Sequence, residues 1–184
     1  YDRPWTSRVV VDEFRDGDYT AGPVWTVTSG QFRVDRRYGL VASPTRTSRS
    51  SSSGGSKDLA AALIGQLLKQ QSNRGAAPTA VSAANIQAAA RTANTFALEV
   101  TLSGIGNEAD AEIAMLQGAS GATGYALVVR TGEQAGVFIE RLSSRGRSTV
   151  GRSDGALRTD ASGTLQLDWT RGRNGKMRVK HEGN

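Results

Sequence analysis

Residues 96–102 read FALEVTL, in which an apolar side chain at every second position alternates with a small or polar one. This period of two predicts a β-strand with one face in a core and the other in solvent. Residues 125–129 repeat the pattern, and 165–169 and 177–179 continue it. Asn174-Gly175, between the last two runs, is a strong hairpin signal. The second half of the chain therefore predicts an antiparallel sheet.

The N-terminal part of the chain also predicts short strands between turn residues. Residues 7–14 (SRVVVDEF) are rich in β-branched side chains and lead to the turn signal Asp16-Gly17-Asp18. Strand-length runs follow at 24–28, 31–35 and 38–42. This spacing favours an all-β, antiparallel β-sandwich over alternating strand–helix units.

An insertion at 48–94 interrupts the strand pattern. Residues 48–56 (SRSSSSGGS) have low complexity and predict a flexible linker. From Leu59 to Leu68 apolar residues recur at spacings of three and four, which predicts an amphipathic helix. The alanine-rich stretch 82–91 predicts a second, shorter helix because alanine favours helices. The helical part, at about 56–92, is expected to cover a sheet edge or to dock a partner.

Length and composition narrow the class of protein. A chain of 184 residues fits a single domain, 1–184, and it has no apolar run long enough to span a membrane. It has no cysteine, which excludes disulfides. With His181 as its one histidine, it also lacks the ligands of most zinc sites and the histidine of most Ser-His-Asp hydrolases, unless His181 is that histidine. His181 ends an alternating run, so we expect it to face the core or its rim.

The formal net charge is +6, and the basic excess lies towards the C-terminus. Because these residues alternate with core positions, most are expected on solvated faces, and nucleic acid is disfavoured as a partner. The alternative is an anion-binding module that binds sulfated or phosphorylated polymers and weakens with added salt. The basic residues concerned are Arg141, Arg145, Arg147, Arg152, Arg158, Arg171, Arg173, Lys176, Arg178 and Lys180.

Short sequence phrases mark the strands of the predicted sandwich. They are Asp12-Glu13-Phe14-x-Asp16-Gly17-Asp18-Tyr19, Pro23-x-Trp25-x-Val27, Ser29-Gly30-x-Phe32-x-Val34, Phe96-x-Leu98-Glu99-Val100, Gly124-Tyr125-x-Leu127, and Leu167-x-Trp169-x-Arg171 leading to Gly175-x-Met177-x-Val179. In this order they resemble bacterial concanavalin A-like lectin/glucanase and laminin-G-like domains. The resemblance implies a jelly-roll fold and a secreted, periplasmic or cell-surface location. Such domains usually continue with closing strands, so unseen sequence or another chain is expected to complete the sheet.

The sequence Glu108-Ala109-Asp110-Ala111-Glu112 is similar to the E-x-D-x-E signature of laminarinase-like glucanases. The resemblance implies a nucleophile, an orienting aspartate and a general acid on one face of a strand. The preceding Trp-Pro of that signature is absent, and 104–107 predicts a loop. We therefore expect a solvated acidic turn, a strand that begins at Ala111, and no catalytic residue.

Three aspartates near the N-terminus offer oxygen ligands. Asp12, Asp16 and Asp18 lie close together in the sequence, and sandwiches of the resembled class sometimes hold calcium with such residues. An ordinary turn explains the same residues. No cofactor is required, and calcium is the alternative.

Aromatic side chains are the usual platforms for sugars, and the chain has 3 Trp, 4 Tyr and 4 Phe. Trp25 and Trp169 lie in core patterns. Trp5, Tyr19 and Tyr38 lie outside those patterns and are the candidates for exposed rings. The ligand-binding residues are not otherwise identified.

Together these features predict a non-catalytic extracytoplasmic binding or assembly module that contacts a glycan or a protein surface. A specific version is the globular head of a pilin-like or secretion-system subunit, whose hydrophobic helix would precede Tyr1. The alternative from another class is a glycoside hydrolase that uses Glu108 and Glu112.

Overall fold

The structure is a computed structural model that describes residues 10–46, 82–90, 92–107, 109–117, 123–153, 157 and 163–181. These residues form antiparallel strands and one short 3₁₀ turn, Gly132–Gln134, so the all-β prediction is confirmed. The strands are β1 (Trp25–Ser29), β2 (Gln31–Asp35), β3 (Gly39–Ser43), β4 (Thr45–Arg46), β5 (Ser82–Ala83), β6 (Asn85–Ala88), β7 (Phe96–Ser103), β8 (Asp110–Gln117), β9 (Thr123–Arg130), β10 (Gly136–Ser143), β11 (Gly146–Arg152), β12 (Thr164–Arg171) and β13 (Met177–His181).

The chain divides into two compact units. The N-terminal unit is Ser7–Arg91, and the C-terminal unit comprises Thr92–Asn184 with Tyr1–Thr6. The prediction that 1–184 is a single domain stays a prediction.

The C-terminal unit is a β-sandwich of two sheets. One has the strand order β11-β10-β9-β8 and the other has the order β13-β12-β7. The two sheets share one core, so their facing sides pack against each other. The buried residues of that core are Leu127, Val129, Val137 and Ile139 from the first sheet, and Phe96, Leu165, Leu167 and Trp169 from the second.

Strand register explains why the alternating residues meet in this core. Leu167 lies opposite Val100, and Trp169 lies opposite Leu98, so apolar side chains from β12 and β7 share one face. Trp169 is 0% exposed and meets the ring of Phe96 edge to face, with 4.9 Å between ring centroids. This aromatic pair anchors the three-stranded sheet to the core.

The four-stranded sheet is also buried on its second face, which is the side turned away from the three-stranded sheet. Ala126, Val128, Phe138 and Leu142 form a second buried cluster there. Burial on both faces accounts for the near-continuous apolar runs in β9 and β10, which do not alternate as β7 does.

One glycine allows β8 and β9 to come close together. Gly124 lies opposite Leu116 in the register and has φ +151, a conformation that side chains disfavour. An added Cβ would overlap the Met115 carbonyl oxygen. The Gly124-Tyr125 phrase of the sequence therefore reflects a backbone requirement.

The described residues of the N-terminal unit form three antiparallel pairs: β1 with β6, β2 with β3, and β4 with β5. The predicted helix at 82–91 is wrong over its described part, 82–90, because this stretch forms β5 and β6 and contains no helix. Ala88 pairs with Trp25, and Ile86 pairs with Val27. Strand pairing with β1 thus overrides the helix propensity of the alanines.

The predicted strand at 7–14 is wrong over its described part, since 10–14 has no regular secondary structure. The Asp12 carboxylate accepts the Phe14 backbone N–H at 2.8 Å and the Trp25 indole N–H at 2.7 Å. Phe14 has φ 54, in the left-handed region. Local hydrogen bonds to an aspartate compete here with strand pairing.

The remaining insertion predictions lie outside the described residues. These are the linker at 48–56 and the amphipathic helix at 59–68. Within the described part of the chain, no helix is long and apolar enough to cross a bilayer.

Candidate functional site

A row of ion pairs, in which carboxylates alternate with arginines, crosses the second face of the four-stranded sheet. Each of the four strands contributes, so the sheet itself brings together groups that are distant in sequence. We call this group the charged network, and its members are Asp110 and Glu112 from β8, Arg130 from β9, Glu140 from β10 and Arg147 from β11.

Glu140 is the centre of the charged network. It is only 4% exposed, and each of its two carboxylate oxygens forms an ion pair with a different arginine. Arg130 Nη2 lies 2.7 Å from Oε1, and Arg147 Nη1 lies 3.3 Å from Oε2. A buried carboxylate needs such partners because desolvating an unpaired charge is costly.

Each arginine also contacts a second carboxylate on the edge strand β8. Arg130 Nε lies 3.3 Å from Asp110 Oδ2, and Arg147 Nη2 lies 2.5 Å from Glu112 Oε2. Asp110 and Glu112 are two residues apart, so they project from the same face of β8. The charged network therefore ties all four strands together on this face.

An aromatic ring borders the charged network. The Arg130 guanidinium carbon lies 4.6 Å from the centroid of the Phe138 ring, and that of Arg152 lies 5.4 Å away. Phe138 is buried, and the face of its ring attracts both cations. Arg130 is thereby held by a ring and by two carboxylates.

The charged network corrects the prediction made from the E-x-D-x-E phrase. Asp110 and Glu112 do lie on one face of a strand, but they are ion-paired there and do not form a solvated turn. Glu108 lies outside the described residues. The predicted loop at 104–107 is confirmed, and the Thr131 hydroxyl orders it by donating to the Gly106 carbonyl at 2.6 Å.

The contacts of Asp110 and Glu112 are poorly suited to acid–base chemistry. A glycosidase carboxylate must present an oxygen or a proton to the sugar, and the acid must stay protonated before reaction. In the charged network each of the two carboxylates faces a guanidinium instead. The contacts that the structure gives these two carboxylates are ion pairs within the sheet.

The three N-terminal aspartates form successive turns. Asp12, Asp16 and Asp18 each accept the backbone N–H of the residue two positions later, at 2.8, 3.1 and 2.7 Å. The backbone N–H of Thr20, together with its hydroxyl, lowers the pKa of Asp18 below its usual value. Among the described residues, no group of three or more His, Cys, Asp or Glu side chains could hold a metal ion.

The aromatic candidates differ in exposure. Tyr38 is 59% exposed, Tyr19 is half-buried, and Trp5 lies outside the described residues. Trp169 is a core residue as predicted, whereas Trp25 is half-buried and bonded to Asp12. Tyr38 is thus the candidate ring that the structure leaves open to a ligand.

His181 lies opposite Leu167 in the register, on the core-facing side of β13. It is half-buried, and its Nδ1 atom is buried without a hydrogen-bond partner among the described residues. The prediction of a core or rim histidine is confirmed.

Most of the C-terminal basic residues that the structure describes are exposed, as predicted. Arg147 and Arg171 are exceptions. Arg147 belongs to the charged network, and Arg171 lies over the Tyr125 ring at 5.3 Å and donates to the Asn94 carbonyl at 2.9 Å. These two arginines serve packing within the sandwich unit.

Comparison of the chain with family models, curated proteins and solved structures finds no match.

Proposed function

We propose that this chain is a non-catalytic, extracytoplasmic binding or assembly module of the concanavalin A-like class, which contacts a glycan or a protein surface. Two observations support the class: the C-terminal unit is an antiparallel sandwich, and the last three of the phrases that resemble such domains, from Phe96 onward, lie on its strands. The globular head of a pilin-like or secretion-system subunit is the assembly version of the same proposal.

The observation that carries the non-catalytic part is the pairing of Asp110 and Glu112 with arginines. These are the described carboxylates of the glucanase-like phrase, and both contact guanidinium groups that also bind the buried Glu140. These ion pairs within the sheet support a structural role for the two carboxylates, where a glycosidase would direct them at a sugar. For Glu112, this pairing favours the non-catalytic proposal over the glycoside hydrolase alternative.

Support for a binding role comes from the exposed side chains of the N-terminal unit. Tyr38 is 59% exposed and lies beside two exposed arginines, and Val24 is 61% exposed. Tyrosine and arginine are enriched where proteins bind partners, since both offer large contact areas with directional polar groups. None of the described residues in 10–44 and 83–90 is fully buried, so many side chains of this unit have surface available for contact.

A binding screen tests the proposal. The purified chain is applied to a glycan array and to fractionated cell-envelope polysaccharide and protein, and the released reducing sugar is measured in parallel. We expect saturable binding to at least one fraction, with no sugar released. Absence of saturable binding to every fraction would contradict the proposal, and so would steady release of sugar from a bound glycan.

A further inference from the structure

The loop between β2 and β3 carries an unusual set of exposed side chains. Arg36, Arg37 and Tyr38 follow one another there, all exposed, between the hairpin strands. We call these three residues the hairpin tip. The Arg37 guanidinium carbon lies 5.4 Å from the centroid of the Tyr38 ring, so cation and ring form one surface.

Asp35 holds the hairpin tip in a fixed conformation. Its Oδ1 atom accepts the backbone N–H groups of Arg37 at 2.9 Å and Tyr38 at 3.3 Å. Its Oδ2 atom accepts from Arg33 Nη1 at 3.0 Å. The Arg37 N–H and the Arg33 side chain lower the pKa of Asp35, so it stays ionised and keeps these bonds at neutral pH. A tip that is ordered before binding loses less entropy when a ligand arrives.

Charge balance leaves the hairpin tip positive. Arg33 is paired with Asp35 within the hairpin. Arg36 and Arg37 have no carboxylate partner in the part of the chain that the structure describes. The loop therefore presents two guanidinium groups and one aromatic ring to solvent.

We propose that the hairpin tip binds the acidic sugars of a polysaccharide. A guanidinium group matches the planar geometry of a carboxylate or sulfate and can donate two parallel hydrogen bonds to it. The Tyr38 ring offers an apolar face and a hydroxyl, which suit the mixed apolar and hydroxylated surface of a sugar ring. One ring beside two cations fits a single charged sugar better than the series of stacking platforms that single-stranded nucleic acids use.

This inference rests on the proposed binding function and adds its ligand class and its site. It also moves the anion-binding prediction from the C-terminal arginines to the N-terminal unit. Arg178 and Lys180 are exposed as well, and Lys180 pairs with Asp168 in the register. None of the described residues on that face of β13 and β12 is an exposed aromatic ring. Replacing these two residues removes the same charge as replacing Arg36 and Arg37, so it serves as the control for net charge.

The test uses the full chain and polyuronate as the probe, with dextran as a neutral polymer and single-stranded DNA as a polyanion without sugar acids. Affinity is measured by isothermal titration at low and at physiological salt. The tip variant is Arg36→Ala with Arg37→Ala, and the control variant is Arg178→Ala with Lys180→Ala. Both variants lower the net charge by two. Tyr38→Ala is the third variant, and urea unfolding checks that each one folds.

We expect the unmodified chain to bind polyuronate and to show no binding to dextran. Its affinity for polyuronate should fall as the salt concentration rises. The tip variant should lose roughly tenfold or more in affinity, as expected when two charge-assisted contacts are removed, and the control should stay within about twofold. Tyr38→Ala should weaken binding while leaving its salt dependence unchanged, because it removes no charge.

Three results would overturn the inference. Equal losses in the tip and control variants would mean that only net charge matters. Tighter, tip-dependent binding of DNA would assign the tip to nucleic acid. If the chain bound a neutral glycan or an envelope protein but not polyuronate, the inference would be overturned and the proposed binding function would stand. Failure of the inference can therefore be told apart from failure of the proposed function, which would show no binding at all.

Discussion

Glu140→Ala is expected to lower the free energy of unfolding by about 3 kcal/mol, the lower end of what breaking a buried ion pair costs. The substitution leaves Arg130 and Arg147 on a buried face without their shared carboxylate. The lower end applies because each arginine keeps one partner on β8, Asp110 or Glu112. Equilibrium urea unfolding, followed by circular dichroism, measures the change.

A surface glutamate on the other sheet provides the matched control. Glu99 is exposed and accepts one hydrogen bond, from Gln166 Nε2 at 3.1 Å. Glu99→Ala should change the free energy of unfolding by no more than about 0.5 kcal/mol. Glu140→Gln keeps the shape of the side chain and one acceptor oxygen. Its loss of unfolding free energy should therefore lie between those of Glu99→Ala and Glu140→Ala. If Glu140→Ala unfolded at the same urea concentration as Glu99→Ala, the charged network would have no role in stability.

Trp169→Ala is expected to destabilise the chain by about 3–5 kcal/mol, the range for emptying an aromatic site in a core. Trp169 is 0% exposed, and it packs edge to face on Phe96 between the two sheets. Removing the indole leaves a cavity that the closely packed strands cannot close. The substitution also removes the contacts of Trp169 in the core that the two sheets share. Differential scanning calorimetry should show a large fall in Tm.

Trp169→Phe is a milder substitution at the same site, because it keeps an aromatic ring and removes the indole N–H. The indole Nε1 atom is buried without a hydrogen-bond partner in the described part of the chain. Phenylalanine keeps a ring against Phe96, leaves a smaller cavity than alanine and removes this unsatisfied donor, so the free energy of unfolding should fall by less than about 3 kcal/mol, the lower end of the range for Trp169→Ala. A Trp169→Phe variant as unstable as Trp169→Ala would show that the indole group makes a contact this account lacks.

The sandwich unit was predictable from the sequence because alternation is a local signal. In β7 the residues Leu98, Val100 and Leu102 are spaced by two, and the register places each opposite a core position of β12. Asn174-Gly175 correctly predicted the turn before β13, where Gly175 has φ +76. Pairing between strands that are distant in sequence, such as β7 with β12, leaves no comparable local trace.

The predictions failed where a distant contact overrides a local preference. The alanines of 82–91 favour a helix in isolation, yet 85–88 pairs with β1. Such a pairing depends on the partner strand and not on the composition of the stretch itself. The segment 10–14 failed for a related reason, because the bond from Trp25 to Asp12 spans residues that no short window includes.

The charged network was missed, although one signal pointed to it. Glu140 interrupts the apolar run VFIERL, and alternation places it on the same face as Phe138 and Leu142. A lone acid between buried positions must have cationic partners, and an arginine at the end of the neighbouring strand, Arg130, was one candidate. The sequence could not supply the register that brings Arg147 to the same carboxylate.

The most direct test of the central claim, that Asp110 and Glu112 are structural, is a pair of assays on one preparation of Glu112→Gln. The free energy of unfolding and the release of reducing sugar from β-glucan are measured beside the unmodified chain. We predict that stability falls by about 1 kcal/mol, as for a partly exposed ion pair, and that neither protein releases sugar above the blank. Sugar release by the unmodified chain that Glu112→Gln abolishes, with its unfolding midpoint unchanged, would contradict the account.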